Sequence, residues 1–450
     1  MKKIISMTFL LLFSVVSCNT TDPKLEPELL LKLEDVSCTE AWLQLTTNNI
    51  QLPATINFLK NNSVTQTFSL SIKDSLLYID SLLPNQNYSF QASSIQHQES
   101  SISSNRVTAT TLDTSSHNFT WQTFEFGIQT NVSRLFDVAI INENDIWAVG
   151  EIYMNDSQGN PDPNLYNLIK WDGISWKPER VYFKNSQGQS FLAPMKSIFA
   201  FNANDIWIGL DQIIYWNGST YKSIELPDAV FQSWINKIWG SNSNDIYIVG
   251  NSGSIAHYNG SSWTKIESGT SLFLADIALS NTNELYSCGL NMSTVDGIIV
   301  KSDNGINFST LVESDNISPS QLFKPKLYGT ISSICFDQSN TLYAAGNIVY
   351  QYKFGRWDYL RSLPENYIGG NPGSFYRGYV YKIRANASND IWIAGDRNTL
   401  KHFNGSTWQQ IGLPYDPQID LVWRGMETKN NTTVIVGSHN SNAIIMMIKK

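Results

Sequence analysis

Asp137 and Asp276 occupy equivalent positions in a recurring apolar strand, and Arg134, Arg384 and Arg424 stand on or beside strands of the same class. A pair of carboxylates near one cavity, with arginines to hold an anionic group, is what breaking a glycosidic bond requires. The same charges at strand ends would also serve simply to solvate a channel, and that is the expectation here. Hydrolysis or elimination through Asp137, Asp276, Arg384 and Arg424 is the alternative. Other catalytic equipment is sparse. Of the histidines His97, His117, His257, His402 and His439, two (His257 and His402) precede the same Asn-Gly turn, which marks a repeat position rather than a unique base. No nucleophile elbow, zinc-protease helix, phosphate loop, zinc-spaced cysteine set or calcium loop occurs, so no cofactor and no metal are expected.

Aromatic side chains are the stronger hint. Tyr153, Phe231, Trp234, Tyr328, Tyr367 and Tyr376, with Arg377 among them, fall in or beside connections rich in Asn, Gln and Asp. Flat apolar faces next to short hydrogen-bonding groups suit sugar rings or extended peptides, so these residues are the expected ligand contacts.

The elements that must position them repeat. NDIWAVG at 144 returns as NDIWIG at 204, NDIYIVG at 244, NELYSCG at 283, NTLYAAG at 340, NDIWIAG at 389 and NTTVIVG at 431. A second signature follows in most units: Asp172-Gly173, Asn217-Gly218, Asn259-Gly260, Asn304-Gly305 and Asn404-Gly405, each closely trailed by an aromatic or aliphatic strand. Such pairs between alternating strands predict tight hairpins with positive φ at both central residues. Each unit therefore reads as four strands in about 40 residues, a propeller blade. The last unit runs out of chain at Lys450 after three strands, and Thr120-Trp121-Gln122-Thr123-Phe124-Glu125 matches the fourth strand of an interior unit, Ser262 to Glu267. Pairing the two ends would close a ring of seven blades and leave no open edge. The turns after first and third strands keep nearly constant length. Insertions at 151–166, 181–194, 226–233, 313–329, 363–378 and 413–420 instead fall on the opposite face, around the channel mouth, where binding residues concentrate.

Ahead of this, 28–113 carries seven short alternating runs, enough for a small sandwich. At the start, Lys2 and Lys3 precede an apolar stretch ending in Val15-Val16-Ser17-Cys18, the pattern of a secretory signal. Residues 18–27 read as a flexible tether. In an exported chain Cys38, Cys288 and Cys335 would be an odd number in an oxidising compartment, and their apolar surroundings predict buried free thiols. The 450 residues have a net charge of -8, which offers no field for nucleic acid.

Three resemblances add detail. Residues 15–18 resemble a bacterial lipobox, which implies cleavage after residue 17 and a lipid on Cys18. Trp42, and Leu82-x-Pro84-x-x-x-Tyr88, resemble a fibronectin type III domain with Tyr88 at its tyrosine corner. The repeats over 119–450 resemble Asp-box propellers of the sialidase and sortilin kind. Ser302-Asp303-Asn304-Gly305-Ile306-Asn307-Phe308 is the fullest match, and it departs at its last two positions. That likeness implies a fold more than an activity, with a sialidase-like hydrolase as the alternative. The expectation is thus an all-β, monomeric protein of the bacterial cell envelope. Its lipid would sit in the membrane, a fibronectin-like spacer would follow, and the loop face of a seven-bladed propeller would recognise glycan or protein without catalysis.

Overall fold

The computed structural model describes residues 26–95, 101–128, 131–185, 187–291, 293–314, 327, 329–360, 379–412 and 420–450. Among them the only helical element is a single 3-10 turn, Asn251–Gly253; everything else regular is strand. The chain divides into two compact units between Thr111 and Leu112.

The first unit stacks two antiparallel sheets. One pairs Glu28–Val36, Ala41–Asn48 and Asp74–Ile79; the other orders Ser63–Leu70, Ala54–Lys60, Asn87–Ile95 and Ser101–Ser103, with Val107–Thr110 added to Asn87–Ile95. Alternation sends Leu29, Leu31, Leu43, Leu45, Ile56, Phe58 and Phe90 into one core. Trp42 is buried against Tyr78, and the Tyr88 hydroxyl accepts a hydrogen bond from the Leu83 amide at 2.9 Å. Cys38 here, and Cys288 and Cys335 in the second unit, are buried and in no disulfide; burial pushes Cys335 up to about 12.

The second unit contains seven four-stranded antiparallel sheets. Six use four consecutive strands, and the seventh takes Leu421–Lys429, Thr432–His439, Asn442–Lys449 and then Thr120–Phe126 from the start of the unit. Pairing runs from Ala443 opposite Phe126 to Lys449 opposite Thr120. The first strand of each sheet packs on the first strand of the next, and Leu421–Lys429 packs on Arg134–Asn142.

The repeat sequence explains the packing. Ile146 and Trp147 enter different hydrophobic clusters, as do Ile206 and Trp207 and again Ile391 and Trp392. Adjacent residues point to opposite faces, so a strand apolar on both faces must lie between two sheets. A buried indole N–H needs an acceptor, and the Asp two residues earlier supplies it on the same face. Trp147 donates to Asp145 at 2.8 Å, Trp207 to Asp205 at 2.8 Å and Trp392 to Asp390 at 3.0 Å. His257 and His402 hydrogen-bond the same acids, Asp245 and Asp390, at 2.7 and 3.0 Å.

The Asn-Gly turns differ from expectation. Only their glycines have positive φ, for example 91° at Gly218 and 95° at Gly405. Trp171 pairs with Trp176 across a four-residue loop, and the Asp172 carboxylate accepts from the amides of Ile174 and Ser175 at 2.9 and 2.8 Å. The side chain, not a second left-handed residue, satisfies the turn.

Candidate functional site

The first strands of six sheets each carry an extra residue, relative to their partners, near the end that faces the variable connections. Register shifts separate Leu135 from Asp137, Ile235 from Lys237, Leu274 from Asp276, Ile331 from Ser333, Val380 from Lys382 and Trp423 from Gly425. The residues left over are Phe136, Asn236, Ala275, Ser332, Tyr381 and Arg424, and every one lines a single cavity of about 640 Å³. The second sheet has no shift at this end and contributes Lys196, the residue just before its first strand. A bulge turns its extra side chain out of the ladder, so repeating it around a set of sheets aims one side chain per sheet at a common centre.

The glycine closing each NDIW strand makes this possible. A Cβ on Gly395 would lie 1.9 Å from the Tyr379 carbonyl oxygen, and one on Gly437 would lie 1.9 Å from that of Val422. Both carbonyls sit two residues before a bulge residue, Tyr381 and Arg424. No other residue type lets the first strand press this closely on the second.

The cavity wall continues through Asn251 and Ser252, Ser271 to Phe273, and Leu290 and Asn291, the ends of the sheets from which the variable connections leave. Most of the wall is apolar or already satisfied. The Asn236 amide donates to the Leu274 carbonyl at 2.9 Å and Ser332 donates to Val380 at 2.6 Å, each tying its sheet to the next. Three cations reach the wall; Lys382 is paired with Asp276, but Lys196 and Arg424 are different. The Lys196 ammonium rests 3.6 Å from the centre of the Phe136 ring, and the Arg424 guanidinium lies 5.8 Å from that of Tyr381. Neither side chain has a hydrogen bond or ion pair among the described residues, and the Arg424 Nε is wholly enclosed. Burial lowers the Lys196 ammonium; Glu151 opposes this, while Arg134 and Arg424 add to it. Burial likewise lowers Arg424, with Arg134 contributing, against Tyr381, Asp420 and Glu151. Arg134 itself is engaged by the Glu151 carboxylate.

One residue deeper the chemistry inverts. Asp137 takes Lys237 at 2.6 Å and the Ile198 amide at 3.1 Å on one oxygen, while its Oδ1 has no partner. Asp276 accepts from Ser333 at 2.6 Å and Arg384 at 3.1 Å, with Lys382 at 3.8 Å. Burial alone would raise the Asp276 carboxyl, but Lys382, Arg384, Lys237 and the Ser333 hydroxyl outweigh it and hold it well below the usual range. These contacts join sheets one to three and four to six. A glycosidase acid must keep its proton at working pH. Asp276 is held ionised, and Asp137 and Asp276 are each spent on cations of neighbouring strands. Of the four residues expected for catalysis, Asp137, Asp276 and Arg384 lie in this paired layer and Arg424 alone lines the cavity.

The expected aromatic contacts scatter. Trp234 is 46% exposed beside the wall and Tyr153 is half-buried, its amide bonded to Ser133. Phe231 is 5% exposed and belongs to the core, its ring tip packed over Gly250, so a surface contact does not fit it. Tyr328, Tyr367, Tyr376 and Arg377, like Cys18, lie outside the described residues. The ring of bulge residues was missed because it shares no residue type. Its available signal was the recurrent glycine opposite. No group of three or more metal-ligating side chains occurs among the described residues.

No family model matches this chain, and no curated protein matches it in sequence. Solved structures do. One described as YCF48 bound to D1 peptide is 14% identical with a TM-score of 0.52, covering 75% of this chain and 99% of its own. YCF48 from Cyanidioschyzon merolae is 12% identical at 0.47, covering 73% and 98%, and the WD40 β-propeller domain of Doa1 is 13% identical at 0.48, covering 73% and 97%. At this identity the likeness concerns fold alone: an all-β chain with β-propeller neighbours.

Proposed function

We propose that this chain is a non-catalytic recognition protein of the bacterial envelope that holds a segment of a protein partner in the cavity at its channel mouth. In this reading Cys18 carries a lipid anchor, 28–113 is a fibronectin type III-like spacer, and 119–450 is a closed seven-bladed propeller. The lipobox-like sequence supports the first. The pairing order of the two small sheets and the bond from the Leu83 amide to Tyr88 support the second. The seven sheets, the pairing of Thr120–Phe126 with Asn442–Lys449 and the packing of the seventh sheet's first strand on that of the first support the third.

The observation that carries the recognition role is the cavity itself. It is concave, mostly apolar and ringed by one side chain from each sheet, the form expected of a pre-organised binding site. A structure sharing the fold is described as bound to a peptide, which is consistent with a protein ligand. The test is site-specific photocrosslinking in the native cell. A crosslinker at Ser271 on the cavity wall should capture a protein, and one at Ile174, 86% exposed in an Asp-Gly turn at the other end of the sheets, should not. Equal capture at both positions, or none at Ser271, defeats the reading.

A further inference from the structure

We infer that the partner segment presents a carboxylate to Lys196 and Arg424, flanked by apolar residues that cover the rest of the wall. This rests on the cavity being the recognition site, and it specifies the chemistry of what enters.

Lys196 is close enough for Arg424 to depress it, both cations are partly enclosed and neither has an ion pair among the described residues, an arrangement that disfavours the folded state unless something offsets it. The nearest acids form their ion pairs elsewhere: Glu151 pairs with Arg134 and acts on Lys196 and Arg424 only from a distance, while Asp137 pairs with Lys237 and Asp276 with Arg384. The buried Arg424 Nε is a donor without an acceptor, and such a group in a folded protein calls for a missing partner. An oxyanion supplies it, since guanidinium N–H groups prefer carboxylate geometry. The surroundings select the kind of oxyanion. Phe136, Ala275, Leu272, Phe273 and Leu290 make most of the wall apolar, and its Asn236, Ser332 and Lys382 are engaged elsewhere, so a single carboxylate beside aliphatic groups matches it better than a multiply charged phosphate. Such a carboxylate is either an acidic side chain or a chain terminus.

The experiment uses the full chain and three pools of fluorescent decapeptides of identical apolar and neutral polar composition. The first carries Glu and an amidated end, the second Gln and a free end, the third Gln and an amidated end. Polarisation should show at least one carboxylate-bearing pool binding tenfold or more tighter than the third, and which one identifies the source. Arg424→Met and Lys196→Met should each erase that preference while leaving the melting temperature equal or higher, because removing an unpaired cation costs the fold nothing. Equal binding of all three pools overturns the inference and leaves peptide recognition standing. No binding by any pool overturns both. A preference that survives in both variants places the carboxylate elsewhere and also overturns the inference.

Discussion

Ala275 and Asp276 are neighbours on one strand, as are Tyr381 and Lys382, yet the two layers they define treat charge in opposite ways. In the deeper layer every charged side chain meets its opposite: Asp137 with Lys237, Asp276 with Arg384 and Lys382. In the outer layer Lys196 and Arg424 line the cavity without an ion pair among the described residues, Glu151 and Asp420 acting on them only from a distance. Buried ion pairs contribute little net stability against apolar replacements, but breaking one is costly, so the deeper layer fixes how the sheets meet. Unpaired charge has the converse logic. It adds nothing to the fold and is retained where a ligand completes it. The comparison separates what holds this molecule together from what it offers to a partner.

The largest expected effect tests the deeper layer. Asp276→Ala leaves Arg384 and Lys382 uncompensated and should cost about 3–5 kcal/mol in chemical denaturation of the second unit. A cost below about 1 kcal/mol would mean that the layer does not fasten the sheets. Next is the device that separates the layers. Gly395→Ala forces the Tyr379 carbonyl away and should cost about 1–3 kcal/mol. Faster amide exchange should follow at Tyr381 and Lys382 but not at Ile238, and uniform exchange would show that the glycine does not set the bulge.

The smallest effect is a pH slope at Glu427, a partly exposed residue whose carboxyl is turned inward. Burial raises its carboxyl to about 7, against a hydrogen bond from the Ile140 amide. Between its ordinary value of 4.5 and about 7 the folded state holds a proton that the unfolded chain has lost, so stability should fall as pH rises through that window. Glu427→Gln should flatten the melting temperature there. Asp276 runs the other way: its depressed carboxyl contributes fully above 3.8, and that contribution is lost only as pH falls through its lower folded value. A Glu427→Gln profile that still declines toward neutrality would move the slope to another group.

Much of the fold was legible because it is written in short-range periodicity. The NDIW strands, apolar on both faces, announced sheets packed between sheets, and Thr120 to Glu125 showed its kinship with interior fourth strands before any pairing was known. Tyr88 was singled out by its spacing from Leu82 and Pro84, and its hydroxyl does accept from the Leu83 amide. The turn chemistry was half legible: Gly218 has its positive φ, but Asn217 caps the loop with its side chain instead of joining it there. The site was barely legible. Of the residues singled out for chemistry, Arg424 reached the cavity wall, while Phe231 went to the core and Asp137 and Asp276 to internal pairs.

Strand, turn and repeat depend on neighbours a few residues away, and for those the chain's order of residues was sufficient. Which side chain faces the channel depends on a one-residue slip between first and second strands, and a slip exchanges paired for unpaired positions without changing composition or periodicity. Phe136, Lys196, Asn236, Ala275, Ser332, Tyr381 and Arg424 have no common type. Only the assembled sheets, in which first-strand carbonyls press against second-strand glycines such as Gly395 and Gly437, made them one surface.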